Sequence, residues 1–361
     1  MGEIKLMKGN EAIAEAFIRE GVDGYFGYPI TPQSEVIEYL MFEEPHKRTG
    51  MVVLQAESEV AAINMVYGAA CTGKKVVTSS SSPGISLKQE GISYIAGSEI
   101  PCVVVNVVRG GPGLGTIQPS QADYFQSTKG GGHGDYHLIV LAPASVQEMV
   151  DFVPLAFELA FKYRNPVMIQ SDGVIGQMME KVELFEQKTR LTNEEIIQKY
   201  GDWALTGKPE SRSQNIITSL DLVSERQEKF NLKLGAKYKE VCENEVRYEK
   251  INCDDADYIF VAYGSSARIC QKSIELARKE GIKVGLFRPI TLYPFPYKEI
   301  MDMVPNLKGA LTVEMSMGQM VEDVKLATEF KIPVDHFGRV GGMIPTPEEI
   351  VNALKTKIIG G

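Results

Sequence analysis

Short apolar runs alternate with amphipathic stretches through the first half of this chain, and this alternation restricts its fold more than any other feature. Strands that are joined through helices usually run in the same direction, which builds a parallel sheet with helices on both faces. We predict strands at 22–27, 51–55, 75–78, 101–108, 138–142 and 166–171. The helices between them are predicted at 11–20, 34–42, 59–72, 85–96 and 146–163.

The pattern changes in the middle of the chain. Charged helical pieces there flank a Gly/Pro/Ser-rich stretch, 207–213, which is typical of a surface loop. A second α/β series follows, with strands at 257–262, 283–287 and 309–314 and helices at 267–280 and 320–329. At 361 residues the chain exceeds a comfortable single core. We therefore predict a parallel-sheet domain over 1–190, a partly helical linker over 191–250 and a second α/β domain over 251–361.

Composition excludes several classes of protein. The formal net charge of −9 argues against a nucleic-acid or anionic-membrane partner, and no apolar run approaches the roughly 20 residues that span a bilayer. The five cysteines are scattered and never spaced as Cys-x-x-Cys, which argues against an iron–sulfur or zinc site in this chain. We recognise no secretory or myristoylation signal and expect a cytoplasmic protein with buried, reduced cysteines.

Two prolines bracket a threonine directly after the first predicted strand, in Tyr28-Pro29-Ile30-Thr31-Pro32. Proline fixes φ and removes a backbone donor, so this segment is stiff and cannot continue a ladder. A rigid turn at the end of a strand holds a hydroxyl in a fixed direction, as a substrate site requires. This turn is therefore a candidate for part of a substrate site.

A single acidic residue, Glu59, opens the apolar helix predicted at 59–72. A carboxylate suits the N-terminal turn of a helix, but an apolar setting disfavours its charged form. We therefore expect Glu59 to hold or share a proton. Glu57 is the rival for this role, and a helix-terminal charge without chemistry is the alternative interpretation.

Arg109 follows the β-branched strand 101–108 and opens the glycine-rich stretch 109–115. Pro112 interrupts the glycines and no clear helix follows, so a dinucleotide-binding loop is disfavoured. Open α/β sheets place ligands at the carboxyl ends of their strands, where an arginine suits the capture of a carboxylate. A surface ion pair is the alternative for Arg109.

A serine-rich segment, 78–84, also follows a predicted strand and precedes a helix. Its hydroxyls and amides could face a polar ligand, although an N-capping turn is the simpler interpretation. His133 lies in a glycine-rich loop, where a surface role is the more common one. A nucleophilic triad is not indicated, because no Gly-x-Ser-x-Gly elbow is present.

Taken together, these segments resemble the subunit of 2-oxoacid:ferredoxin oxidoreductases that carries the pyrimidine-binding domain for thiamine diphosphate. In the first half the resemblance lies in 28–35, 55–59, 78–84 and 105–112. The second half, through 287–296 and 313–320, resembles the transketolase C-terminal domain of the same family. Segments 83–91 and 111–115 are most similar to the 3-methyl-2-oxobutanoate (2-ketoisovalerate) branch. The resemblance implies an α/β fold with a pyrimidine-type parallel-sheet domain followed by a transketolase C-terminal-like domain.

The resemblance also implies roles for single residues. Glu59 matches the glutamate that hydrogen-bonds N1′ of the cofactor's aminopyrimidine and shares a proton with it. Thr31 matches the substrate-contacting hydroxyl, and Arg109 matches the residue that pairs with the substrate carboxylate. The remaining cofactor-binding positions implied by the resemblance are Tyr28, Pro29, Ser82 and Gly84.

The sequence lacks two motifs that such an enzyme needs. There is no Gly-Asp-Gly for a Mg²⁺–diphosphate site and no Cys-rich cluster motif, so no metal site is predicted in this chain. The resemblance implies a diphosphate-binding thiamine subunit, a gamma-type subunit and a ferredoxin-like iron–sulfur subunit as partners. The complex would oxidise a 2-oxoacid with CoA, release CO2 and reduce ferredoxin. The alternatives are a 2-oxoglutarate or pyruvate enzyme and a non-catalytic α/β scaffold.

Overall fold

The computed structural model describes residues 3–360, which form three sheets surrounded by helices. The strands are β1 (Glu3–Lys8), β2 (Gly24–Gly27), β3 (Val52–Gln55), β4 (Val76–Ser80), β5 (Cys102–Val108), β6 (Ile139–Leu141), β7 (Pro166–Asp172), β8 (Met179–Leu184), β9 (Tyr248–Ile251), β10 (Tyr258–Val261), β11 (Val284–Pro289), β12 (Thr291–Tyr293), β13 (Gly309–Val313) and β14 (Val334–Phe337). The helices are α1 (Gly9–Arg19), α2 (Ser34–Glu43), α3 (Pro45–Arg48), α4 (Glu59–Ala70), α5 (Ser82–Gly97), α6 (Tyr124–Thr128), α7 (Val146–Tyr163), α8 (Gly173–Gln177), α9 (Asn193–Tyr200), α10 (Ser224–Asn244), α11 (Gly264–Lys279), α12 (Tyr297–Met301), α13 (Met320–Ala327) and α14 (Pro347–Leu354). A 3-10 turn lies at Val304–Asn306 and a π turn at Lys355–Ile359.

The largest sheet has seven strands in the order β12-β6-β7-β5-β4-β2-β3. Its six first-half strands are parallel, as the alternation predicted, and β12 joins antiparallel to β6. The central strands β5 and β7 are buried along their whole length, which explains their continuous apolar sequences.

A second sheet has the order β14-β13-β10-β11-β9, parallel except for β9 at its edge. Strands β1 and β8 form a separate antiparallel pair. The seven-stranded sheet therefore comes mainly from the first half of the chain and the five-stranded sheet from the last third.

Alternate residues of the central strands face two different cores. Val103, Val105 and Val107 pack with α1, α2 and α7 on one face of the sheet. Cys102 and Val104 face α4 and α5 on the other face, and this apolar cluster continues into the second sheet. The two α/β units are thus joined by a shared core.

Several features differ from the sequence-based expectations. The predicted strand ended at residue 78 and the predicted helix began at 85, whereas β4 runs to Ser80 and α5 begins at Ser82, so little of the serine-rich segment lies between them. The strands β1, β8, β9, β12 and β14 were not predicted. The segment proposed as a linker contains α10, whose Leu234, Tyr238 and Val241 are buried. The division at 1–190, 191–250 and 251–361 remains a proposal.

Within residues 3–360, no helix has both the length and the apolar character needed to cross a bilayer.

Candidate functional site at the carboxyl edge of the large sheet

The predicted site residues follow the carboxyl ends of neighbouring parallel strands. The turn with Thr31 follows β2, Glu59 follows β3, Ser82 and Gly84 follow β4, and Arg109 follows β5. These strands are adjacent in the sheet, so their ends meet at one edge. Open α/β sheets bind ligands at that edge.

Glu59 lies in the first turn of α4. Ser58 caps this helix, because its hydroxyl accepts the backbone N–H of Ala61 at 3.2 Å. The Glu59 side chain is only 7% exposed. Among the described residues, nothing donates a hydrogen bond to its carboxylate. The carboxylate of this buried residue is therefore available to a ligand from outside the described chain.

Gly84, in the first turn of α5, makes room for the Glu59 carboxylate. A Cβ at this position would lie 2.7 Å from Glu59 Oε1 and 2.1 Å from Ser80 Oγ. Any larger residue would therefore displace both of these oxygen atoms. The hydroxyls of Ser80 and Ser81 are buried and have no hydrogen-bond partner within residues 3–360. Three polar groups without partners thus lie around the start of α5.

Arg109 is 8% exposed and ties two predicted segments together. Its Nη1 donates to the carbonyl of Thr31 at 2.9 Å, and its Nη2 donates to the carbonyl of Leu114 at 3.0 Å. Its Nε is buried and unpartnered within the described chain. No acidic side chain among residues 3–360 forms an ion pair with Arg109, so the alternative of a surface ion pair is not observed. A buried guanidinium with free donors suits an anionic ligand.

Ser82 joins the start of α5 to the Arg109 segment. Its hydroxyl accepts the backbone N–H of Arg109 at 3.0 Å and donates to Asp123 Oδ2 at 2.7 Å. Asn106 donates to the same carboxylate oxygen at 2.9 Å. Burial raises the pKa of Asp123, and the hydrogen bonds from Asn106 and Ser82 oppose that rise. Ser82 therefore connects the start of α5 to the backbone of Arg109 by a hydrogen bond.

A cavity of about 580 Å³ lies beside Arg109, between the glycine-rich stretch and the second α/β unit. Arg109 is the one cationic residue among those described in its wall. Much of the remaining wall is apolar or small: Pro83, Gly110, Gly111, Pro112, Met315, Met317 and Val340. Gly115 has a φ of +57°, and a Cβ there would lie 1.8 Å from the carbonyl oxygen of Gly110, so this turn requires glycine.

The remaining predicted site residues are more exposed than Glu59 and Arg109. Tyr28 and Pro29 are half-buried in the turn that leads to Thr31, and the Tyr28 carbonyl accepts Gln33 Nε2 at 3.2 Å. Thr31 itself is exposed, and its contact with Arg109 is through its backbone. Glu57 is exposed, whereas its rival Glu59 is buried. His133 is exposed and borders a separate cavity against α10.

Sequence reasoning missed Lys88, which is fully buried one helical turn after Gly84. Its ammonium donates to Thr78 Oγ1 at 2.6 Å. Burial lowers the pKa of Lys88 to about 7, and the negative charge of Glu59 opposes this shift. Helical spacing could have indicated this burial, because Lys88 lies on the same face of α5 as the apolar residues Ile85, Ile92 and Ile95. Asp123 was missed because it lies in an irregular loop.

Comparison with known proteins identifies the family. Residues 15–230 match the family described as "Pyruvate flavodoxin/ferredoxin oxidoreductase, thiamine diP-bdg", that is, thiamine-diphosphate-binding. Residues 256–350 match "Pyruvate:ferredoxin oxidoreductase core domain II". The chain belongs to the 2-oxoacid:ferredoxin oxidoreductase family. The predicted resemblance, fold class and enzyme class are thereby confirmed.

Two similar members are subunits of different 2-oxoacid enzymes. The chain is 48% identical over 351 residues to the ketoisovalerate oxidoreductase subunit VorB of Methanothermobacter marburgensis, covering 97% of each chain. It is 35% identical over 384 residues to the 2-oxoglutarate synthase subunit KorA of Methanocaldococcus jannaschii, covering 98% of this chain and 99% of that one. This chain is therefore one subunit of a multi-subunit oxidoreductase.

Solved structures agree with the family assignment. The 2-oxoglutarate:ferredoxin oxidoreductase from Magnetococcus marinus, with 2-oxoglutarate, coenzyme A and succinyl-CoA bound, superposes with a TM-score of 0.84 at 28% identity. The match covers 99% of this chain and 66% of that one. An inactive β4 tetramer of a split-gene transketolase matches with a TM-score of 0.61 at 14% identity, which shows a shared fold alone.

The residues at the sheet edge fit the pyrimidine end of thiamine diphosphate. Glu59 is a buried carboxylate without a partner in the described chain, and Gly84 leaves the space that its oxygen occupies. The hydroxyls of Ser80 and Ser81 lack partners among the same residues. Carboxylate and hydroxyl groups of this kind can bind the nitrogen atoms of an aminopyrimidine.

Proposed function

We propose that this chain is the pyrimidine-binding subunit of a thiamine-diphosphate-dependent oxidoreductase that converts 3-methyl-2-oxobutanoate and CoA to acyl-CoA, CO2 and reduced ferredoxin. The observation that carries the proposal is the pair of buried, oppositely charged groups at one sheet edge. Glu59 and Arg109 are each less than a tenth exposed, and neither has an ion-pair partner within residues 3–360. Bound thiamine diphosphate supplies the electron sink for decarboxylation.

Glu59 would accept and return a proton at the pyrimidine N1′. Its position in the first turn of α4 fixes the carboxylate, because Ser58 caps the helix and Gly84 leaves just enough room for Oε1. A carboxylate that is held in one position loses little energy to reorganisation when a proton moves. Tyr28, Pro29, Ser82 and Gly84 would shape the remainder of the cofactor pocket.

Arg109 would bind the carboxylate of the 2-oxoacid. Of its five N–H donors, Nε and one on each terminal nitrogen are not used by partners within residues 3–360. Ser82 holds the Arg109 backbone, and Thr31 is held next to its guanidinium. The Thr31 hydroxyl is exposed toward solvent and would contact the substrate's oxo group.

The choice of a branched substrate rests on two observations. The higher sequence identity is to a subunit named for ketoisovalerate, at 48% against 35% for one named for 2-oxoglutarate. In the described wall of the cavity beside Arg109, Met315, Met317 and Val340 offer apolar contacts and no second cation is present. A branched aliphatic side chain fits such a wall better than a second carboxylate does.

Partner chains would complete the enzyme. The diphosphate and Mg²⁺ would be held by a second thiamine subunit, the clusters by a ferredoxin-like iron–sulfur subunit, and a gamma-type subunit would complete the assembly. Ferredoxin would accept the electrons. In this arrangement the isolated chain has no turnover of its own.

The test is a substrate panel on the reconstituted complex. Purified complex is supplied with thiamine diphosphate, Mg²⁺, CoA and a viologen acceptor, and then with 3-methyl-2-oxobutanoate, 2-oxoglutarate or pyruvate. We expect the highest kcat/KM with the branched acid and no turnover by the chain alone. A preference for 2-oxoglutarate or pyruvate would reject the proposed substrate but not the enzyme class.

The variant Glu59→Gln separates catalysis from a scaffold role. It keeps the shape of the side chain but cannot accept a proton, so we expect a loss of about 100-fold or more in kcat, the typical size of an acid–base contribution. The exposed neighbour Glu57→Gln is the matched control and should retain activity. An unchanged rate in Glu59→Gln would favour the scaffold interpretation.

A further inference from the structure

Lys88 is a charged side chain enclosed in an apolar core. It lies in α5 between Ile85 and Ile92, and its exposed fraction is 0%. Among the described residues its ammonium has one hydrogen-bond partner, Thr78 Oγ1, although it carries three donors. Burying such a group is unfavourable, and a methionine would fill the same space without that penalty. The position therefore calls for a reason other than packing.

Shared neighbours place this ammonium near Glu59. Thr78 and Ser80 lie two residues apart on β4 and face the same side of the sheet. Ser80 Oγ and Glu59 Oε1 both border Gly84, and Lys88 follows Gly84 by one helical turn on the same face of α5. The Lys88 ammonium contacts Thr78 Oγ1, two residues along β4 from the Ser80 hydroxyl that borders Gly84 together with Glu59.

Glu59 is the ionisable group that acts on Lys88 among the described residues. Glu59 lies on α4. Strands β4 and β5 add no charge near Lys88: β4 contributes the uncharged hydroxyl of Thr78, and the one ionisable group in β5 is the thiol of Cys102. The two groups do not form a direct ion pair, and because Lys88 is fully buried, solvent screens the interaction between their charges only weakly.

We propose that Lys88 is a positioning residue for the reaction, whose buried ammonium sets how readily Glu59 takes up the proton that it shares with the cofactor. A positive charge nearby favours the carboxylate form of Glu59, and its loss favours the protonated form. Lys88 does not contact the substrate or the cofactor in this arrangement. The inference rests on the proposed function of Glu59.

Two substitutions distinguish an effect of the Lys88 charge from an effect of its structural contacts. Lys88→Met removes the ammonium and keeps the length of the side chain. Thr78→Val removes the same hydrogen bond but keeps the titratable amine, and valine has nearly the shape of threonine. Both variants are made in the complete complex, and kcat with the preferred 2-oxoacid is measured from about pH 4 to 9, a range that covers ordinary carboxyl groups and the lowered pKa of Lys88.

We expect the acid-side midpoint of the pH profile to rise by about one pH unit in Lys88→Met, the usual effect of removing one nearby charge. Thr78→Val should leave that midpoint in place while lowering stability. An unchanged midpoint in Lys88→Met, or an equal shift in both variants, would overturn the inference. If Glu59→Gln retains full activity, the proposed function itself fails and not only the role of Lys88.

A second measurement does not depend on activity or on a Lys88 variant that folds. The unfolding free energy of the full chain is followed against pH for the wild type and for Glu59→Gln. Removing the negative charge of Glu59 should move the titration of Lys88, which lies near pH 7 in the wild type, to lower pH by about half a unit or more. Superimposable stability profiles would show that the two groups are not coupled and would reject the proposal.

Discussion

Replacing Lys88 by methionine should change how the stability of this chain depends on pH. Lys88 is fully buried, and burial lowers its pKa to about 7 from the ordinary value of 10.5. Below pH 7 the side chain is protonated in both the folded and the unfolded chain, and the folded state bears the full penalty of a buried charge. Between these two values the unfolded chain binds more protons than the folded one, so the folded state gains stability as the pH rises.

The size of this effect follows from linkage. Each pH unit between about 7 and 10.5 should add up to about 1.4 kcal/mol to the unfolding free energy through Lys88. Lys88→Met has no group to titrate and lacks this contribution. The difference in unfolding free energy, variant minus wild type, should therefore fall by about 2 to 3 kcal/mol between pH 7 and pH 9.

Urea unfolding of the full chain at several pH values measures this difference. The single tryptophan, Trp203, is a suitable probe because it is half-buried, with the Arg164 guanidinium over its ring and the ring of Tyr200 packed against it at a tilt. The exposed Lys229, changed to methionine, is the matched control and should follow the wild type at every pH. A stability difference for Lys88→Met that is independent of pH, or that grows as the pH rises, would refute the reasoning.

Three further substitutions test the site in the assembled complex. Gly84→Ala puts a Cβ 2.7 Å from Glu59 Oε1, and displacement of that carboxylate should lower kcat by about 100-fold. Gly68→Ala is its control, since that helical glycine faces open space and should gain roughly 0.5–1 kcal/mol of stability in a thermal or urea melt. Arg109→Lys cannot hold the carbonyls of Thr31 and Leu114 and still pair with a substrate carboxylate, so kcat/KM should fall by about 10- to 100-fold, a loss of roughly 1.5–3 kcal/mol. The exposed Arg226→Lys should leave kcat/KM unchanged. Ser82→Ala leaves the buried N–H of Arg109 without its partner and should cost about 1–3 kcal/mol of unfolding free energy, measured by urea titration.

Periodicity was sufficient to predict most of the fold. Helix α7 begins and ends at the predicted residues, because it has a serine cap and a clear helical apolar pattern. Strand β12 was missed since it has three residues and its partner, β6, lies some 150 residues earlier. Local sequence carries no signal for such a distant pairing.

The sequence predicted the part of the candidate site that lies at the carboxyl ends of the parallel strands. The positions of Glu59, Gly84 and Arg109 at the carboxyl ends of parallel strands follow from the alternation alone. Lys88 was not predictable in this way, because a lysine in a helix is normally solvated and its burial depends on how α4 and α5 pack. Asp123 joins the site through hydrogen bonds from two other segments, which only the folded chain brings together.

The antiparallel strand β12 has a mechanical consequence. It belongs to the second half of the chain but completes the edge of the sheet built by residues 24–172. Opening a hinge between the halves would break main-chain bonds within one sheet and expose the core that both halves share. The pairing of β12 with β6 therefore links the two walls of the cavity beside Arg109, and we expect a ligand to enter this cavity without separation of the two α/β units.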